Sequence, residues 1–469
     1  MSSSPAPQKT GVNGLVIRSA IVASLGGLIF GFDTAVISGA ISSLEKVFGL
    51  TAFDTGFVVA IATVGTVLGA IIAGRLAEQY GRHKILFAIG VLYILASLGT
   101  ALAINLPMLD VFRFIGGIGV GMSSVVAPIY TAEISPAAIR GRLVGLVQFN
   151  IVFGILLAYL SNFIINQIMG DNLDKWRWML GVMAVPSILF FILLFTTPET
   201  PRWLISHGRE QQGVATSRKL CSTQAESDQQ LAEIRGQIEE DRKLSGTKVS
   251  LFAPRYRKVV MMAFLIAAFN QLSGINAILY YAPKVFENAG ASESLATLLP
   301  VFVGLMNLVA TMTALTVIDK LGRRTLMLVG SIGYLISLGF IAAVMFYYEN
   351  AKGGAFDGTS VTLVFVGLLV FIAAHAFGQG SVIWVFISEI FPQEVRASGQ
   401  SFGSMTHWIF AAITTYAFPP VISFLGGGVA FLLFFVFMVG QLFWVLRVMP
   451  ETKGVPLEKM AAKLGLDKA

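Results

Sequence analysis

The sequence predicts an all-α membrane protein with twelve transmembrane helices arranged as two pseudo-symmetric six-helix bundles. Three observations lead there. The 469 residues are 55% hydrophobic and only 13% charged, too little polar surface for a water-soluble chain of this length. Apolar runs of roughly 20 residues, enough to cross a ~30 Å hydrocarbon layer, recur along the whole chain. Three charged motifs each occur twice, at matching places in the two halves.

The expected spans are 16–41, 55–76, 85–105, 109–132, 142–165 and 177–197, then 258–283, 296–318, 325–346, 361–388, 399–422 and 426–448. Their length and their lack of strict alternation point to helices rather than barrel strands. "GRLAEQYGRHK" (74–84) follows the second span and "DKLGRRT" (319–325) the eighth. "YTAEISPAAIRGR" (130–142) follows the fourth and "ISEIFPQEVRASG" (387–399) the tenth. "TPETPRW" (197–203) follows the sixth and "MPETKG" (449–454) the twelfth. Such pairing is the signature of an internal duplication.

The expected domains are therefore a bundle over 1–197, a cytoplasmic helical linker over 198–256, a second bundle over 257–449 and a tail over 450–469. Within the linker, 201–220 and 226–244 read as short amphipathic helices. No cleavable leader is expected before the first span.

Charge sets the orientation. Of 33 Lys and Arg, 27 fall on the side bearing the termini, five on the other (Lys46, Lys175, Arg177, Lys284, Lys352), and Arg113 lies inside a span. This is the positive-inside pattern, which places both termini in the cytoplasm. The net charge of +7 thus serves topology, and no nucleic-acid partner is expected. Cys221 is the only cysteine, and the four histidines lack ligand spacing, so neither metal nor cofactor is expected. No nucleophile–base constellation suggests an enzyme.

Charged groups inside spans are expensive and usually functional. Two stand out: Asp33, in "GGLIFGFDTAVISG", and Arg113. A carboxylate that changes protonation as its surroundings open, tuned by an arginine, is a proton carrier; Glu45 and Asp110, near span ends, are expected to be solvated. The seventh span holds "AAFNQLSGINAILYY", with Asn270, Gln271, Asn276, Tyr280 and Tyr281, and Gly274 as a point of distortion. Gln148, Asn307, Trp384, His407 and Trp408 lie in other spans. Amides for hydroxyls and indole faces for the apolar side of a ring are the composition of a neutral-sugar pocket. The charged motifs form a candidate clamp on the cytoplasmic face: Arg75, Arg82, Glu133, Arg142, Glu199 and Arg202 in one half; Asp319, Arg323, Arg324, Glu389, Arg396 and Glu451 in the other. Its pairs are expected to form when that face closes and to release when it opens.

With "GRLAEQYGRHK", "PIYTAEISP", "TPETPRWL", "NQLSGINAILYYAP", "SEIFP" and "PETKG" in this order, the chain resembles the sugar porter family of the major facilitator superfamily over 10–460. The resemblance implies the major facilitator fold, with a central site exposed alternately to either side. It implies sugar contacts from Gln148, Gln271, Asn276, Asn307, Trp384 and Trp408, and gating by Tyr280 and Tyr281. Asp33 matches the acid of the family's bacterial proton symporters and Arg113 the arginine that tunes it. There are departures: Asn270 replaces one of two paired glutamines, and His407 stands where Asn or Gln is usual. "HAFGQGSVIW" replaces a Gly-Pro-Gly-Pro-like breaker, leaving gating there to Gly378 and Gly380. The expected function is monomeric import of a monosaccharide (glucose first, then xylose or fructose) together with a proton across a bacterial inner membrane. The alternative is a facilitative uniporter with a structural Asp33.

Overall fold

The computed structural model describes residues 13–136, 139–245 and 249–455, with 460, 464 and 466. The expected tail over 450–469 and the first twelve residues fall largely outside that set. The first five spans are single helices: α1 (Gly14–Phe48), α2 (Ala52–Tyr80), α3 (Arg82–Ala101), α4 (Leu106–Ile134) and α5 (Arg140–Met169). The sixth is α6 (Lys175–Gly181) continued by α7 (Ala184–Leu194). After α8 (Pro201–Ser206), α9 (Glu210–Leu220) and α10 (Gln224–Ser245), the seventh span is α11 (Arg257–Leu272) plus α12 (Ile275–Asn288). Next come α13 (Glu293–Leu321), α14 (Arg323–Phe346), α15 (Gly358–His375), α16 (Ser381–Ile390) and α17 (Arg396–Arg447).

Eleven of these helical stretches are long and apolar enough to span a membrane. The expected count of twelve is recovered in α17, whose 52 residues break at Gly426 with φ 86°. Both bundles use the same pairings: α1 on α5 and α2 on α4 in the first half, α11 on α17 and α13 on α15 in the second. The halves meet through α2 with α17, α5 with α13, and α1 with α12.

Small residues make the closest of these contacts possible. A Cβ on Gly31 would lie 1.8 Å from the Ile151 carbonyl oxygen, and one on Gly117 1.9 Å from that of Ala62. Helix backbones in contact give dense packing where lipid offers no hydrophobic drive between helices. Large apolar side chains such as Val185, Val309, Ile336 and Phe443 remain exposed around the bundle, as a hydrocarbon solvent requires.

The segment between the halves is helical, as the pattern predicts, but 201–220 is two helices, broken where Gly208 adopts φ 74°. It is tied down. The Trp203 indole N–H donates to the Glu78 carbonyl at 2.7 Å, and the Asn13 amide donates to the Lys219 carbonyl at 2.7 Å.

Candidate functional site

A cavity of about 1350 Å³ separates the two halves. Its walls run from the centre of the bundle to Arg75, Phe252 and Ser401 on the motif-bearing face. The opposite face contributes nothing to it and is closed by direct ties between the halves. Lys284 on α12 pairs with Glu45 on α1 at 2.7 Å, and Ser42 donates to Glu287 at 3.0 Å. Lys175 beside α5 pairs with Glu293 on α13, Asn166 donates to Thr297 at 3.3 Å, and the Tyr159 hydroxyl donates to the Leu279 carbonyl at 2.6 Å. The molecule is open toward the motif-bearing face.

Most residues expected to touch sugar converge on this cavity. Gln148, Asn270, Gln271, Asn276, Asn307, Trp384, His407 and Trp408 all line it. The seventh span delivers its amides because the helix is interrupted: Gly274 has φ 87° in the left-handed region, between α11 and α12, a conformation natural only to glycine. Tyr281 is also non-helical (φ −116°, ψ 16°) and precedes Pro283. The hydroxyl of Tyr281 reaches across to the Thr415 carbonyl at 3.1 Å. Trp384, 41% exposed, stands open to the cavity. Its ring lies 5.0 Å from that of His407, which in turn abuts Trp408 edge-on, and Trp408 faces Phe30 of the other half at 5.8 Å. The cavity therefore offers amides beside an aromatic shelf, the two meeting where Gln271 lies 3.1 Å from the His407 ring. Tyr280 is buried near the closed end. Gly378 and Gly380 lie in a π-helical turn, Ala376–Gly380, between α15 and α16, where helices commonly bend.

Beside the cavity, Asp33 and Arg113 form the one ion pair among the described residues with both partners deep inside a half. Nη1 of Arg113 lies 2.8 Å from Oδ1 of Asp33, with 2% and 4% of the residues exposed. Thr34, next to Asp33, lines the large cavity. A second cavity of about 10 Å³, bounded by Asp33, Arg113 and Thr100, adjoins the pair and is near the volume of one water. Nε and Nη2 of Arg113 have no protein partner among the described residues. A buried pair of this kind is weak support for stability, because desolvation offsets its attraction. It is well suited to a charge that comes and goes.

The motif residues close within each half. Arg82 pairs with Glu133 at 3.1 Å and Glu78 at 2.9 Å, while Glu199 accepts the backbone N–H groups of Arg82 and His83. Arg323 repeats this with Glu389 at 2.8 Å and Asp319 at 3.1 Å, and Glu451 accepts from the N–H groups of Arg323 and Arg324. Thr200 donates to Glu133 as Thr452 does to Glu389, each at 2.6 Å. Gly81 (φ 104°) and Gly322 (φ 91°) end α2 and α13; a Cβ there would lie 2.3 and 2.6 Å from Oε2 of Glu199 and Glu451. Arg202 bonds to Gln237 of α10 at 3.1 Å, and Arg396 caps the Phe391 carbonyl at 3.1 Å. Arg75 and Arg142 are exposed and make no ion pair among the described residues. Since this face is open, the expected release on opening does not occur for the Arg82 and Arg323 sets; these pairs tie helix ends inside one bundle. Burial raises the Glu199 carboxyl above its ordinary value despite bonds from Thr200 and His83. Burial acts the same way on Glu451, but four backbone N–H groups together bring it below.

The opposite-face ties were not among the expected functional residues, and Glu45 is paired rather than merely solvated: it also accepts from Thr55 at 3.2 Å. The available signal was the scarcity of Lys and Arg on that face, which makes Lys175 and Lys284 conspicuous.

Comparison with known proteins agrees with this geometry. Residues 19–464 match the family described as "Sugar (and other) transporter". The D-xylose-proton symporter of Escherichia coli is 34% identical over 94% of each chain. The glucose transport protein of Synechocystis sp. is 34% identical over 98% of this chain and 99% of its own. The structure of the E. coli xylose transporter in an inward-open conformation superposes with a TM-score of 0.82, at 31% identity, over 96% of this chain and 99% of that one. With its twelve spans, duplicated motifs and central cavity bearing amides and indoles, the chain belongs to the sugar transporter family.

Proposed function

We propose that the chain is a proton-coupled monosaccharide symporter that imports a neutral sugar, glucose foremost and xylose or fructose next, by alternating access across a bacterial inner membrane. Its termini and the helical segment 198–256 face the cytoplasm, and 1–197 and 257–449 rock as two bundles, with 450–469 as a tail. The observation that carries the reading is the buried Asp33–Arg113 pair beside a cavity lined by amides and indoles.

Asp33 is the proton carrier. Charged, it is held by Arg113; protonated, it no longer holds the guanidinium, and α1 and α4 are freed from the constraint their ion pair imposes. Sugar bridges the halves through Gln148 on α5 and the amides of α11, α12 and α13, lowering the barrier for the loaded, protonated carrier. Coupling requires that sugar and proton favour the same transition. Arg75 and Arg142, without an ion pair among the described residues, are the clamp members left to engage across the halves in the opposite state. The test is Asp33→Asn in proteoliposomes. Sugar counterflow should persist while accumulation driven by a pH gradient is lost; retention of accumulation would leave a uniporter with a structural Asp33.

A further inference from the structure

The amides on one wall of the cavity belong to a longer buried chain. The hydroxyl of Ser331 on α14 donates its single proton to the Met327 carbonyl at 2.7 Å, so toward any other neighbour it is an acceptor. Nε2 of Gln441 on α17 donates to it at 2.8 Å. That leaves Oε1 of Gln441 to accept from Nε2 of Gln379 at 2.7 Å. Oε1 of Gln379 then faces Nδ2 of Asn270 at 3.5 Å, and Oδ1 of Asn270 accepts from Nε2 of Gln271 at 3.0 Å. The second proton of that Nε2 meets the Nε2 ring nitrogen of His407 at 3.1 Å. Each amide's orientation follows from the one before, starting at a hydroxyl whose proton goes to the Met327 carbonyl.

One atom at the end of the chain remains over. Oε1 of Gln271 is buried and has no hydrogen-bond partner among the described residues, and Gln271 lines the cavity. Ser331, Gln379 and Gln441 do not line it; the two glutamines are 0% exposed. Gln379 is seated by a close backbone approach: a Cβ on Gly330 would lie 2.7 Å from the Gly378 Cα. The π-helical turn and α14 thus touch one residue away from both Gln379 and Ser331.

We propose that Ser331, Gln441 and Gln379 are positioning residues that fix the polarity of Gln271. The pocket then presents an acceptor at that point and selects a sugar by a hydroxyl that donates to it. This rests on the reading of the cavity as a monosaccharide site. Turning Gln271 over would set like groups against each other in a buried chain, a penalty of about tenfold or more in occupancy.

The experiment is equilibrium exchange in proteoliposomes with D-glucose and its monodeoxy and monodeoxyfluoro analogues, since fluorine cannot donate. For the wild type, at one position the fluoro analogue should be as poor as the deoxy one, about tenfold weaker than D-glucose. Ser331→Ala and Gln441→Met should each raise the half-saturating D-glucose concentration about tenfold at unchanged maximal rate, and should shrink that fluoro penalty to about threefold or less. Ser331→Thr, which keeps the back-bonded hydroxyl, should restore wild-type values. Should Gln441→Met fail to fold, the smaller Ser331→Ala change decides alone. If Gln271→Ala weakens D-glucose while Ser331→Ala retains the wild-type affinity and fluoro penalty, the positioning chain is overturned. If Gln271→Ala leaves affinity unchanged, the sugar-site reading itself falls, and the chain with it.

Discussion

Breaking the ties on the closed face should shift the molecule away from the state open toward the motif-bearing face. The Lys284–Glu45 separation of 2.7 Å corresponds to a Coulomb attraction of about 1.5 kcal/mol at the dielectric of water and about 6 kcal/mol at an effective value of ~20. The two side chains remain 35% and 25% exposed, so screening and desolvation reduce the net worth to about 1 kcal/mol, or roughly fivefold in an equilibrium constant. Glu293→Gln should act more strongly, because its partner Lys175 is only 4% exposed and would keep its charge among neutral oxygens alone, those of Asn166 and Gly170 included. Pulsed electron resonance between spin labels at Val47 and Leu295, in a Cys221→Ser background, reports the closed fraction directly. Lys284→Met should lower the ratio of short to long distances about fivefold, and Lys284→Met with Glu293→Gln by more. An unchanged distribution in the double variant would refute the assignment of these pairs as ties that hold this state.

Other outcomes follow from the motif geometry. Gly81→Ala and Gly322→Ala force a Cβ into a positive-φ site against a carboxylate, so each should lower stability by about 1–3 kcal/mol, read as a fall in thermal midpoint in detergent; no fall would contradict the geometry. Glu451 is held below its ordinary value of 4.5, so its contribution is fully present above 4.5 and is lost as pH falls through the lower folded value. Glu451→Gln should therefore be less stable than wild type at pH 7, with the gap closing on acidification; a gap that widened toward low pH would reverse the sign. Glu199 is raised, so its burial favours the folded protein most below the ordinary value and less as pH rises through the folded one. Glu199→Gln should thus narrow any deficit, or gain on wild type, as pH rises, and a deficit growing with pH would contradict the shift.

The sequence made some features plain because their cause is local. Hydropathy alone marks the spans, and the doubled motifs anticipate the matching Arg82 and Arg323 clusters, since each cluster needs its adjacent glycine and arginine and two glutamates at corresponding span ends. Asp33 and Arg113 announce themselves because charge in hydrocarbon is rare. What was not legible depends on register between helices. Glu45 reads as a solvated group near a span end, since nothing near it reveals the facing Lys284, 239 residues away. Gln379 read as the loss of a helix breaker, and Gln441 was unremarkable in an apolar span. Their bond is set by the close approach of α14 and the π-helical turn, a property of packed helices rather than of any window of sequence. The break in α17 at Gly426 (φ 86°, ψ 163°) is legible as the gap between two expected spans.

In the proposed cycle, sugar moves together with a proton carried by Asp33. The most direct measurement is current from proteoliposomes after jumps of D-glucose, D-xylose or D-fructose, with no imposed voltage. A sugar-dependent inward current is expected, its size varying with pH, and it should vanish in Asp33→Asn. Sugar exchange with no accompanying current in the wild type would contradict that cycle.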